Sequence, residues 1–539
     1  MLFGSKHKVM GARYDFDLPK YELNKITRVY LNAASRTPLM KKTFEVGQAA
    51  MARQMKTPSS IAEEEDEVKV REAFATLVNC QDPEQIAYTP SCSYAMSLAA
   101  KNIYEEMLKK QKDTSWEFAG KKVLILEDQM SSNVYPWQSL TKKSELELFV
   151  VKETEEEEET DLTDSIVNAL QNPKLAIAIA ALPNVHWCSG EVLDINRIGK
   201  VCHDNQIYLV VDGTQSIGCL PFDVEKVKPD FVCASIHKHL FGPYGMCLVY
   251  ASKKWCSIGV PLEYHEHKRL GASGDVCLPF QSNGEAGNPP YEERYGAGAS
   301  RFCAGGRINP LIVPMLAHSL NKIVYEWGVE NISWLIKTLM TDDIKRECDY
   351  LGLTTVKNYH HIIGIKQSGN PDFPEQISKW LKDKINIVIS ARFKYLRVAP
   401  QVYNTRRELK LFNGALREFR RLQLLNGKKE ILKMSCRHTR AHYLAKLPRG
   451  ISKNLGTTNF ISASTFTLRD YHNSGHNPRL ELCQIDEWGL DKTSALSRNC
   501  HGHEIEFSYH GLLEQDKKDR EEDRLLENDV VRKRKREEE

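Results

Sequence analysis

No stretch of the 539 residues is apolar for long enough to span a bilayer. The first residues, Met1 to Phe16, hold no apolar core of signal-peptide length, so no secretory leader is expected. Excess charge is lacking too. A net charge of +3 on a chain this long gives no reason to expect a nucleic-acid or membrane partner. The 14 cysteines form no regular framework, and Cys219, Cys233 and Cys247 fall in or beside apolar runs. That pattern points to buried free thiols in a reducing compartment, the cytoplasm, rather than to a disulfide scaffold. The one glycine cluster of note, Gly296-Ala297-Gly298, lacks the strand–helix setting of a nucleotide motif. Cys436, His438, His442, Cys500, His501 and His503 match no zinc-finger or ribbon spacing, so no metal is expected.

What is present is a chain too long for one core, which predicts at least two lobes. Its most informative stretch runs from Ile207 to Tyr250. Apolar β-branched residues Ile207 to Val211 read as a buried strand that ends on Asp212, Gly213 and, after a turn, Gln215. A second strand, Phe231 to Ala234, ends in Ser235-Ile236-His237-Lys238. A Gly-Pro turn leads to a third, Met246 to Tyr250. Polar residues thus gather where strands stop, and α/β sheets bind ligands at the carboxyl ends of their strands.

The residue types suit pyridoxal 5'-phosphate (PLP). Lys238 offers an amine for a Schiff base. Asp212 offers a carboxylate for the ring nitrogen, whose proton makes the ring an electron sink. Gln215 offers a donor for the phenolic oxygen. Ser235 and His237 are candidates for the phosphate. A second stretch, Ile86 to Ala100, breaks at Pro90 and opens a helix at Ser91-Cys92-Ser93. Met96, Ala99, Ala100, Ile103 and Met107 share one face of it. A helix start offers free N–H groups and a favourable dipole to a phosphate, although it serves equally as an ordinary cap. The acidic run Lys152 to Asp164 reads as a solvated loop or helix start.

Asp212-Gly213-Thr214-Gln215-Ser216, Ser235-Ile236-His237-Lys238 and Gly242-Pro243-Tyr244-Gly245 together resemble the class V aminotransferase and cysteine desulfurase family of fold-type I PLP enzymes. The resemblance covers roughly residues 28 to 420. It implies a large α/β domain with a mostly parallel seven-stranded sheet covered by helices, plus a small α+β C-terminal domain. It places Cys92 and Ser93 in the phosphate cup, with a thiol where the family has a hydroxyl. Met130 aligns with the histidine that stacks on the ring in desulfurases; a thioether packs on a ring but relays no proton. Asn184 fits an asparagine that reaches the phenolic oxygen or substrate. Asn32 fits the segment at the mouth of the site, or sits in a plain loop. Arg307 resembles the segment that enters the neighbouring subunit's phosphate site, or is a surface arginine; the first implies a homodimer. Arg397 matches the arginine that grips the substrate carboxylate through two parallel hydrogen bonds.

The expected organisation is an N-terminal arm over 1–27, a PLP-binding domain over 28–330, a small domain over 331–420 and an extension over 421–539. The family's desulfurases carry a nucleophilic cysteine shortly before the carboxylate arginine, and between Lys366 and Leu396 this chain has none. That argues against sulfur transfer to an enzyme thiol. It leaves transamination, elimination (lyase) chemistry and epimerisation at the α carbon of an amino acid. The wording resembles the selenocysteine lyase and epimerase-like branch. The alternative is a PLP-fold binding or regulatory protein with little catalysis. The charged end, Glu514 to Glu539, reads as a lone helix or disorder, and Arg532 to Arg536 as a chance basic run.

Overall fold

The computed structural model describes residues 9–18, 22–23, 26–56, 64–113, 119–153, 161–265, 269–271, 291–296, 298–304, 309–340 and 342–434. The expectations for Arg307, the zinc-type residues and the basic run lie outside them. The chain divides into two compact units. The first comprises the residues up to Asp342 with Thr355–Lys366 and Asp372–Asn404. The second comprises Asp343–Thr354, Gln367–Pro371 and the chain from Thr405. Within the second, Arg417 Nε meets Glu347 at 2.7 Å and Arg420 Nη2 donates to the Leu351 carbonyl at 3.0 Å. Among the described residues no helix is long and apolar enough to cross a membrane.

The first unit is built on seven strands: β1 (Ile86–Thr89), β2 (Lys122–Leu126), β3 (Glu147–Val151), β4 (Ile177–Pro183), β5 (Tyr208–Asp212), β6 (Phe231–Ser235) and β7 (Cys247–Ala251). Their order is β1-β7-β6-β5-β4-β2-β3. β7 runs antiparallel to both neighbours, and the remaining pairs are parallel. This is the expected mostly parallel sheet. β5 and β6 are buried at every position, as their unbroken apolar sequences require in a sheet covered on both faces. Register sets Asp212 level with Pro183 on one side and Cys233 on the other. The ends of three strands therefore form one wall.

Helices complete that wall. α1 (Glu64–Leu77) precedes β1. Its buried stripe is Val70, Ala73, Phe74, Leu77 and then Val78, while Val68 is 49% exposed. α2 (Cys92–Asp113) follows β1, and its start is capped by Ser91, whose Oγ accepts from Tyr94 N at 3.2 Å. Met96, Ala99, Ala100, Ile103 and Met107 are all buried, as the sequence periodicity demands.

A second, smaller sheet carries the other side of the site. β8 (Ile363–Lys366) and β9 (Ser390–Arg392) flank β10 (Tyr395–Val398), antiparallel on both sides. Arg397 is thus in a central strand, opposite Gly364 and Ser390. The loop after β4 is pinned to this sheet by Gly364 N donating to the Ser189 carbonyl at 2.8 Å. Gly190 in that loop has φ +80°, and a Cβ there would lie 2.1 Å from the Ile362 carbonyl oxygen. Gly190→Ala combines a left-handed backbone with a backbone clash. It should lower stability by roughly 1–3 kcal/mol or more, seen as a lower urea midpoint at unchanged slope.

Candidate functional site

Lys238 lies just past the end of β6, and its backbone is held from across the site. Thr37 N donates to the His237 carbonyl at 3.2 Å, and Thr37 Oγ1 to the Lys238 carbonyl at 2.6 Å. Among the described residues the Lys238 amine has no hydrogen-bond or ion-pair partner. Burial lowers its pKa to about 8; Asp212 and Cys92 oppose that shift, while Arg397 and Arg392 reinforce it. A buried lysine depressed this far is a group fitted for covalent and acid–base work.

Asp212 ends β5 buried. Its Oδ1 accepts from Thr214 N at 3.0 Å, and its Oδ2 from the Cys92 thiol at 3.4 Å. The Cys233 thiol lies 3.3 Å from the Cys92 sulfur. Cys92, first residue of α2, thus turns its sulfur to the carboxylate, and burial against Asp212 and Cys247 pushes its pKa up to about 12 despite the opposing bond to Cys233. Both thiols are therefore neutral donors. Ser93 is exposed at the helix start, with its Oγ 3.0 Å from Ser91 Oγ. Ser235 ends β6, where its N donates to Thr214 Oγ1 at 3.1 Å. His237 stacks on Tyr244, centroids 3.9 Å apart, and Arg36 lies over the same Tyr244 ring at 5.4 Å. Burial, with Lys238 and Arg36 nearby, lowers the His237 pKa to about 4. Gln215 is buried, with Nε2 donating to the Ala34 carbonyl at 2.9 Å.

Arg397 is only 1% exposed. Its Nη1 donates to the Trp187 carbonyl at 2.9 Å, and its Nη2 to Ser35 Oγ at 2.6 Å and Asn32 Oδ1 at 3.4 Å. Its Nε has no partner. Among the described residues no carboxylate pairs with it. Burial and the neighbouring Arg392 lower its pKa to about 9. A buried guanidinium with an idle N–H and no counter-charge is a seat for an anion.

Asn184 and Met130 are tied into local turns. Asn184 spends Nδ2 on the Leu193 carbonyl at 3.3 Å, within its own loop. Met130 precedes a short 3-10 turn, Ser131–Asn133, and its carbonyl accepts from Asn133 N at 2.8 Å. The structure also gathers residues that the motifs did not reveal. Arg392 donates to Ser35 Oγ at 3.2 Å, so two arginines share one hydroxyl. Its signal was its place in Ser390-Ala391-Arg392, one strand over from Arg397. Ser35, Thr37 and His239 carried no signal by type or spacing; only long-range contacts bring them in.

The donor set fits PLP. It holds a depressed amine, a buried carboxylate at a strand end, a fixed amide, hydroxyls at a helix start and an unpaired guanidinium. The fold defines the class: among solved structures, a cysteine desulfurase from Thermococcus onnurineus NA1 superposes with TM-score 0.59 at 18% identity, over 73% of this chain and 95% of that one. A cystine C-S lyase, C-DES, in complex with its reaction product cysteine persulfide, gives TM-score 0.59 at 17% identity, over 72% and 97%. The architecture is fold-type I. Residues 34–301 match aminotransferase class-V and place the chain in that family. A probable cysteine desulfurase of Pyrococcus abyssi is 30% identical over 191 residues, 35% of this chain but only 43% of that protein. The uncharacterized aminotransferase YcbU of Bacillus subtilis is 24% identical over 349 residues, 63% of this chain and 80% of that one.

Proposed function

We propose that the protein is a PLP-dependent enzyme acting at the α carbon of an amino acid, by elimination. The observation that carries this reading is that one loop holds both the Lys238 carbonyl, through Thr37, and the Arg397 fork, through Ser35, while the strand ending on Asp212 pairs with the strand that leads to Lys238. Lys238 holds the cofactor through its amine. Asp212 would hold the ring nitrogen, Gln215 the phenolic oxygen, and the start of α2 with Ser93, Ser235 and His237 the phosphate. Met130 flanks the ring. Bound PLP supplies an electron sink for charge developing at the α carbon.

Arg397 would receive the substrate carboxylate on its idle Nε and its fork, and so fix the orientation of the amino acid. Asn32 and Ser35 hold that fork. Lys238, with a pKa near the working pH, takes the α proton and returns one. Elimination is favoured over sulfur transfer to an enzyme thiol because every described cysteine is buried. Burial also pushes up Cys188, beside Arg397, so no thiolate stands ready there. The working form in this reading is a cytoplasmic homodimer.

Product analysis separates the reaction classes. Elimination releases a 2-oxo acid and ammonia with no amino acceptor present. Transamination needs an acceptor and releases no ammonia. Epimerisation yields neither. A panel of L- and D-amino acids bearing β leaving groups is expected to give ammonia and 2-oxo acid in equal amounts. Turnover only with an added 2-oxo acid acceptor contradicts elimination.

The amine must be uncharged to capture the aldehyde. Uptake of added PLP should therefore accelerate about tenfold per pH unit below about 8 and level off above it. A breakpoint near the ordinary lysine value of 10.5 contradicts the depressed amine.

A further inference from the structure

Directly after Lys238, His239 is 1% exposed and takes no part in the chemistry above. Its hydrogen bonds form a chain whose two ends are backbone groups. At one end, Val402 N donates to Gln401 Oε1 at 2.9 Å. A backbone N–H only donates, so the Gln401 oxygen faces Val402. Its NH2 then faces inward, 3.1 Å from His239 Nδ1 and 3.1 Å from the Cys219 sulfur. An NH2 only donates, so Nδ1 is an acceptor and carries no proton. The ring is neutral, because burial and the adjacent His361 and Lys238 hold its pKa well below the usual value. The single ring proton is therefore on Nε2, which donates to Gln215 Oε1 at 3.1 Å. At the far end Gln215 Nε2 donates to the Ala34 carbonyl, which only accepts. Reversing any one member sets donor against donor or acceptor against acceptor inside the core.

We propose that His239, with Gln401, is a positioning residue that fixes the Gln215 amide so that its second N–H faces the site. Resting on the reading above, that N–H meets the phenolic oxygen of bound PLP. The surroundings keep the chain in one state. The Cys219 sulfur lies 3.1 Å from Nδ1 and accepts from the same Gln401 NH2, and burial pushes its pKa up to about 12, so it stays a neutral thiol. His361 stands edge-on to His239, ring centroids 4.9 Å apart, and its Nε2 donates to the Gln215 carbonyl, which anchors the same residue's backbone. Among the described residues, Cys219 touches the ring, and His361, Lys238, Arg397 and His237 are the charged or titratable groups that act on it.

Two measurements test this. In protein labelled with 15N-histidine, the His239 signals, assigned by their loss in His239→Gln, should show Nδ1 unprotonated and Nε2 protonated across the folded pH range. A protonated Nδ1 overturns the proposal, whether or not PLP binds. In PLP-loaded protein, the pH midpoint of the visible band reads the donor at the phenolic oxygen. His239→Leu and Gln215→Leu should both raise that midpoint by about one unit or more, since the donor stabilises the oxygen's anionic form. His239→Gln, whose amide N–H replaces Nε2–H, should restore it. A His239→Leu protein that is folded and loaded yet titrates like wild type overturns the relay. If His239→Leu fails to fold, the tautomer measurement decides alone. A protein that takes up no PLP defeats the proposed function and leaves the tautomer test standing.

Discussion

Arg397→Ala is expected to lower kcat/KM by roughly 30- to 4,000-fold while leaving the unliganded fold as stable as before, or more so. The first half follows from removing one partner of a buried, hydrogen-bonded charge pair, about 2–5 kcal/mol. The second follows from the site itself. Arg397 is nearly inaccessible, faces Arg392 and has no carboxylate among the described residues. Its charge is a cost to the empty protein, so removing it relieves repulsion and desolvation. Activity and stability should therefore move in opposite directions, as they do at strained sites. Arg397→Lys should restore little, because a lysine cannot bond Trp187 O, Ser35 Oγ and a carboxylate in one plane. Steady-state kinetics and urea unfolding of the same variant test both halves. A variant with normal kcat/KM contradicts the carboxylate role. One that loses several kcal/mol of stability shows Arg397 to be structural instead.

Asp212→Asn is expected to cut turnover about 10²- to 10³-fold, the usual scale for losing one preorganised electrostatic partner. The amide keeps an oxygen for Thr214 N but brings no charge to hold a proton on the ring nitrogen. A second effect has a definite sign. Asp212 raises the Lys238 pKa against burial, so without it the amine falls below about 8. PLP capture should then reach its plateau at lower pH, even as turnover falls. Stopped-flow uptake against pH reads this independently of catalysis. An unchanged breakpoint places Asp212 too far from Lys238 to matter.

The wall of the site was legible because its elements are local. The apolar runs of β5 and β6 end on polar residues, and the order Asp212, Gln215, Ser235, His237, Lys238 survives folding as one surface. The periodicity of α2 was equally direct, since a covered helix must show one apolar face. What escaped were the contacts supplied from a distance by residues that belong to no motif. Ser35 and Thr37 come from a loop some 200 or more positions from Lys238 and 350 or more from Arg397. The Gln401–His239–Gln215 chain joins three segments whose residue types are individually unremarkable. The partners of side chains already found were not legible either. Cys92 was placed by its alignment with a phosphate cup, yet its sulfur faces Asp212. Asn184 was expected to reach the phenolic oxygen or substrate, and its Nδ2 closes its own loop. A motif fixes where a backbone goes. Which partner a polar side chain chooses depends on what packs against it.

The most direct test of the account is the visible absorbance of the purified protein with PLP, wild type beside Lys238→Ala. The account predicts a yellow wild type whose band shifts when its amino acid is added, and a variant in which that band is gone. A wild type that stays colourless after incubation with excess PLP, or a Lys238→Ala protein with an unchanged band, contradicts it.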